Sequence, residues 1–363
     1  MSLIIHYLDK LMLSTLKAES AYATEITPWD ATTCQSLIDY DDASAHELYD
    51  DTIVANTDVV TGKELISHQE MPRQSVRINY NEPRVKPNTL AGLMALTLGT
   101  VASTQDGILI AYRHKITPGV GTAIPSIGAQ AKHGSNGVQY KYTGMKSESF
   151  TLSDNAPYFR FQSGLIGSGH RETATDAFVA SVDENWLRWG DAKIYLRDVT
   201  GISPLSIPST PSQTASNLGG SPINISTRVL SWNLTWNNNL VPDFGYRAST
   251  GLYRGNFHPT KRSATIALTI ECDSADEATH LGYYFTQAQL AIELNLNSGT
   301  LIAATGAFKY GMIVMLPRIQ LTAMPRGETN QLENLTFTGV LMDDTTNPSC
   351  AIFVYDNVPA YLA

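Results

Sequence analysis

Cysteine is scarce in these 363 residues: Cys34, Cys272 and Cys350 lie far apart, and no CxxC spacing occurs. That excludes a clustered zinc site and a disulfide framework, and leaves three reduced thiols buried as small apolar groups. Basic residues are also few, 25 Lys and Arg against 34 Asp and Glu, for a net charge of −9. A protein that holds nucleic acid does so by displacing counterions with Lys and Arg, so binding to phosphate is not what this composition serves. No apolar run approaches about 18 residues, so no membrane-spanning helix is expected. The apolar opening MSLIIHYLDKLML is interrupted by His6, Asp9 and Lys10 and has no small-residue cleavage site, so it is not read as a signal peptide.

Recognisable catalytic chemistry is missing too. Gly119-Val-Gly121 runs into a proline-containing loop where a dinucleotide cradle needs a helix. No two histidines stand at the helical spacing of a zinc protease, and no nucleophile elbow, phosphate loop or calcium loop occurs. The acidic doublets Asp41-Asp42, Asp50-Asp51 and Asp343-Asp344 place neighbours on opposite faces of an extended chain, unlike paired glycosidase carboxylates. The reading is a non-enzymatic protein with no cofactor and no metal.

What is present is a folded, β-rich chain, 43% hydrophobic and 16% charged. In Leu230-Ser-Trp-Asn-Leu-Thr-Trp236 the apolar residues alternate with Ser231, Asn233 and Thr235, the period of a strand with one buried face. Ala264–Ile270, Arg318–Leu321 and Leu335–Thr338 repeat the pattern with β-branched and aromatic residues. Trp232 and Trp236 fall on the apolar face, which suits a core better than the sugar-stacking surface of a carbohydrate-binding adhesin.

Two helices interrupt the strands. Residues 89–98 follow Pro87 and the cap-type Asn88 and stop at Gly99; a second helix over 275–288 opens with the capping-box pair Ser274 and Glu277. The order of elements repeats: a strand at 75–80 precedes the first helix, a strand at 263–271 precedes the second, and the offsets from strand to helix are 13 and 12 residues. A hairpin follows each helix, at 145–152/158–166 and 316–324/332–341. Residues 201–223, rich in Pro, Ser and Gly, separate the copies as a linker or long loop. The expected fold is mainly β, a barrel or sandwich, with two tandem related units at 1–200 and 224–363 and one short packed helix in each.

Acidity is concentrated at the start: residues 1–70 hold 13 acids against three lysines, a balance of −10, and the remainder is close to neutral. Asp39, Asp41, Asp42, Glu47, Asp50 and Asp51 make this segment a candidate acidic arm or a surface that repels phosphate. Phe244, Tyr246, Arg247, Tyr253, Arg254 and Phe257 supply the aromatic and arginine mixture enriched in protein interfaces.

Several stretches resemble the major tail tube proteins of long, non-contractile phage tails. They are LKAESAYAT (16–24), TGKELISHQEMPRQSVRINY (61–80), YTGMKSESFTLS (142–153), FQSGLIGSGHRET (161–173), and the two strands with their long connecting loop at 229–271. The length is similar to the larger branch of that family, which carries duplicated tube units. The resemblance implies a virion structural protein, assembled in the host cytoplasm into trimeric or hexameric rings that stack into a tube. Its partners would be copies of itself and other tail proteins: the tape measure, the terminator and the distal tail protein. Viral DNA would pass through without specific binding. A distal tail, terminator or baseplate ring protein shares the same β-fold and is the alternative.

Overall fold

Alternation along the strands decides the architecture, because each strand with one apolar face needs a second layer to cover it. A computed structural model describes residues 10–37, 48–49, 52–57, 66–73, 76–106, 110–119, 124–132, 137–180, 185–202, 205–243, 255–272, 274–303, 306–329, 332–343 and 347–363. The chain opens with β1 (Lys10–Leu13), β2 (Gln35–Leu37), β3 (Leu48–Tyr49), β4 (Thr52–Thr57), β5 (Ile66–Arg73) and β6 (Val76–Glu82). Helix α1 (Pro87–Leu98) follows, then β7 (Gly99–Gln105), β8 (Tyr112–Pro118), β9 (Ile127–Lys132), β10 (Gln139–Asn155), β11 (Tyr158–Gly167) and β12 (Arg171–Thr173). The second half contains β13 (Lys193–Asp198), β14 (Ile223–Asn224), β15 (Val229–Asn237), β16 (Leu240–Asp243), β17 (Asn256–Pro259) and β18 (Ser263–Glu271). Helix α2 (Ser274–Phe285) then leads to β19 (Gln289–Leu301), β20 (Lys309–Ala323), β21 (Arg326–Thr329), β22 (Leu332–Leu341) and β23 (Ala351–Asp356).

All ladders among the described residues are antiparallel. One sheet runs β3, β6, β11, β10, β15, β18, β22, with the end of β20 and β21 on the outer side of β22. A second runs β14, β13, β19, β20, β23, β8, β7. Strand β20 belongs to both, pairing with β23 at Gly311–Met315 and with β22 at Ile319–Ala323. A smaller sheet of β2, β1 and β9 joins the first half of β10, with β12 on its other side. The main core lies between the two large sheets: Leu234, Trp236, Ile266 and Phe337 from the first meet Leu294, Val314 and Ile352 from the second.

Every residue of α1 is buried, as expected for a helix apolar on all sides. Asn88 is not its cap. The cap position is Lys86, and Asn88 sits inside the first turn, where its amide donates to Asn357 Oδ1 at 2.7 Å. The expected stop at Gly99 is found: its φ of 101° is open to glycine, and its N–H closes on the carbonyl of Ala95. Gly92 lets the N-terminal segment approach, since a Cβ there would lie 2.6 Å from that of Thr15. Helix α2 ends at Phe285, three residues before the expected 288, because Gln287 adopts a left-handed φ of 53° and turns the chain into β19.

The Pro/Ser/Gly-rich segment lies on the outer face of the second sheet and covers a second, smaller core. Leu205 and Leu218 are buried there with Tyr195, Ile313, Phe353 and Tyr355. Its backbone is tied down: Tyr355 donates to the carbonyl of Pro211 at 2.8 Å, and Asn217 donates to Glu293 from both its backbone and its side-chain nitrogen, each at 2.6 Å. Glu293 is fully buried, and burial raises its carboxyl above the ordinary range despite these bonds.

The two halves share more than element order. An offset of 174 residues carries the β10–β11 ladder onto β20–β21–β22: Ser149–Gly164 onto Ala323–Thr338, and Leu152–Phe161 onto Arg326–Leu335. The bulge between Ser147 and Ser149 maps onto the one between Leu321 and Ala323. Before it, β3 on β6 corresponds to β15 on β18, and the separate hairpin β4–β5 to the separate hairpin β16–β17. The two α-helices are each 12 residues long. The halves are joined by direct ladders, β10 with β15 and β8 with β23.

Candidate functional site

The first sheet turns its apolar face to the core and its other face outward, so the outward side chains form rows across strands from both halves. One row reads Asn81, Gln162, Thr151, Thr235 and Thr265. Neighbouring hydroxyls approach each other, Thr151 to Thr235 at 3.3 Å and Thr269 to Thr336 at 3.0 Å. Ser231, Asn233 and Thr235, singled out in the sequence, stand on this face while Trp232, Leu234 and Trp236 are buried behind them. Charge is sparse and balanced: Arg77 pairs with Glu148 at 3.0 Å, and the outward positions add Arg160 on β11 and Glu271 on β18. A shallow cleft of about 360 Å³ beside Asn79, Asn81, Ser149 and Gln162 is likewise polar. Such a wall offers water a full set of hydrogen-bonding partners and offers a polyanion little to bind.

A second feature projects from the sheet end. Strands β16 and β17 form a two-stranded hairpin, and the described residues anchor its base. Phe257 is fully buried, its ring 6.4 Å from that of Tyr22. This differs from the expectation that Phe257 meets another chain: the ring holds the hairpin from inside the subunit. Lys146 reaches under it, its ammonium donating to Asn256 Oδ1 at 2.9 Å and to the Phe257 carbonyl at 3.0 Å. Burial pulls Lys146 down to about 8, with Glu19 opposing the shift. Glu19 is raised by burial even though Gly144 N, Ser126 Oγ and Ala23 N all donate to it. Phe244, Tyr246, Arg247, Tyr253 and Arg254 lie outside the described residues, as do Asp39, Asp41, Asp42, Glu47, Asp50 and Asp51.

A sequence model of the phage tail tube protein family matches residues 80–339, well over half of the chain. The chain belongs to the phage tail tube protein family. It is a structural subunit of the phage tail tube and a component of the virion tail. No curated protein matches it. Among solved structures it is similar to a chain in the "Tail of empty GTA particle computed with helical refinement, C6 symmetry". That likeness covers 43% of this chain and 93% of the other, at 15% identity and a TM-score of 0.26, too slight to carry structural detail.

Several residues that stabilise the tail tube subunit gave no sign in the sequence. Asn238 is fully buried where the halves meet, accepting from Trp236 Nε1 at 3.0 Å and donating to the carbonyls of Thr97 and Ser147. The two carbonyls it holds are 91 and 141 residues away in the chain, so no local motif marks it. His114 and Asp356, both fully buried, meet at 3.0 Å; Ser103 bonds the other ring nitrogen of His114 at 2.8 Å, and Tyr361 donates to Asp356 at 2.7 Å. The set includes a hydroxyl, an imidazole and a carboxylate, but it joins β7, β8, β23 and the C-terminal segment with every carboxylate oxygen engaged, which makes it a structural tie. Among the described residues no His, Cys, Asp and Glu cluster suits a metal ion, and no helix is long and apolar enough to cross a membrane. Cys34 and Cys350 are buried, and burial lifts their thiols to about 11 and about 12.

Proposed function

We propose that copies of this chain close into rings of three or six, that the rings stack into the tail tube, and that the polar face of the first sheet lines the bore. The observation that carries this reading is the continuity of that face: one uncharged row crosses five strands, from β6 in the first half to β18 in the second. A conduit for DNA works by failing to hold it, and Ser, Thr, Asn and Gln present no fixed charge to passing phosphates. Each chain supplies two β-units, which the matching registers of its halves support. The acidic segment 36–58 and the arm between β16 and β17, carrying Phe244, Tyr246, Arg247, Tyr253 and Arg254, serve as contacts between rings or subunits. The tape measure, terminator and distal tail proteins are its other partners, and it performs no catalysis.

Adding positive charge to the bore tests the assignment. In phage carrying Thr151→Lys, Thr235→Lys and Thr265→Lys together, DNA ejection slows while tails assemble with normal length. Screening confines each charge to about 8 Å at physiological salt, so only charges at the wall act. Unaltered ejection kinetics from such tails would remove this face from the bore.

A further inference from the structure

The internal duplication points to where one chain meets the next. In the first half, the outer edge of β10 is covered by β15: Ser149 to Ser153 pair with Asn237 to Asn233. The same offset of 174 that matches the two hairpins places Ala323–Gly327 where Ser149–Ser153 stand in the first half. Among the described residues β21 pairs only with β22, so the edge that β15 covers in the first copy is without a strand in the second. At the other margin of the sheet, β3 holds the place of β15: Leu48 and Tyr49 pair with Arg77 and Val76 as Thr235 and Trp236 pair with Thr265 and Ala264, since β6 meets β11 at Ile78–Leu165 as β18 meets β22 at Ile266–Gly339. Strand β3 pairs only with β6, so its far edge is also without a strand among the described residues.

We propose that β21 of one chain pairs antiparallel with β3 of the next copy, repeating between chains the β10–β15 junction found within each chain. This rests on the ring reading above and names the contact that closes the ring. The register follows from the template: Phe150 opposite Trp236 becomes Met324 opposite Tyr49, and Thr151 opposite Thr235 becomes Pro325 opposite Leu48. Two margins of one sheet that complement each other, rather than themselves, give a head-to-tail contact, the kind that forms a ring when the rotation closes.

The surroundings of β21 agree with an edge that waits for a strand. In the first half Leu152 is fully buried beside Leu234, whereas its counterpart Arg326 has a side chain 60% exposed and pairs with Glu277 of α2 and with Glu333. A charged residue directed toward the layer below is a known guard against indiscriminate edge pairing. Beyond it, Tyr284 and Phe285 at the end of α2 are exposed, Phe285 by 75%, where the equivalent Leu98 of α1 is fully buried. A chain arriving at this margin covers both.

Backbone hydrogen exchange on the unaltered protein, dispersed and then assembled into tubes, tests the contact. Amides in residues 323–329 slow by at least about tenfold on assembly, as newly paired edge amides do. A second measurement uses Pro325→Cys with Leu48→Cys in a Cys272→Ser background and a short bis-maleimide. The pair gives covalent oligomers from assembled material, and neither single substitution does, since Cys34 and Cys350 are buried and the partly exposed Cys272 has been replaced. Intact tubes in which 323–329 exchange unchanged, or in which the pair fails to cross-link, overturn this contact and leave the tube reading standing. A protein that never polymerises overturns both.

Discussion

Lys146 shows how a single buried charge is tolerated because of what it holds. Lys146 is 5% exposed, and its ammonium fastens the base of the β16–β17 hairpin, at the cost of a pKa drawn from 10.5 to about 8. Between those two values the unfolded chain binds the proton and the folded chain releases it, so this group makes stability rise as pH increases from about 8 toward 10.5. The full span corresponds to about 3 kcal/mol. Thermal unfolding of the native protein and of Lys146→Met, compared at pH 7.5 and at pH 10 (about two units around the lysine's range), should show the native protein gaining on the variant at the higher pH. An equal response of both would mean that Lys146 is not desolvated. Comparison with the variant matters because Tyr355, Tyr361, Cys34 and Cys350 are all raised by burial and pull stability the opposite way as they ionise.

At the scale of elements, the hairpin is an arm with a fixed root. Its root residues Asn256 and Phe257 are bonded to Lys146 or packed on Tyr22, so removing them with the arm would strip a buried ring and cost about 3–5 kcal/mol. Replacing only 244–254 with a short turn avoids this. That variant should keep the thermal midpoint of the native subunit and lose tube formation by negative-stain microscopy; normal tubes would show that the arm makes no contact needed for assembly. Strands such as 229–237 and 263–271 were legible in the sequence because their period-two alternation is also their burial pattern. Helix α1 was legible from its composition, although Asn88 was misjudged as a cap: an asparagine before a leucine-rich run looks the same whether its amide bonds the first turn or Asn357, 269 residues away. Strands β9 and β12 escaped notice because Ile127–Lys132 is buried on both faces and Arg171–Thr173 on neither, so neither alternates.

For the whole molecule, the likeness of the two halves was visible only as a repeated order of elements. The shared register and bulge leave no trace in residue identity: Ser-Glu-Ser at 147–149 corresponds to Leu-Thr-Ala at 321–323. Backbone pairing can match where side chains differ, because a ladder is made by main-chain groups that every residue except proline carries in full. The polar face was anticipated strand by strand, but its extent across both halves depends on β10 pairing with β15, which no local pattern announces. A sheet shared in this way presents one continuous face of mostly uncharged polar side chains drawn from both halves.

Helical reconstruction by electron microscopy of tubes grown from the purified protein tests the central claim most directly. The bore should be lined by the face that carries Thr151, Thr235 and Thr265, with the core behind it. Tubes with that face on the exterior or between rings, or a protein that stays monomeric at every concentration, would contradict the account.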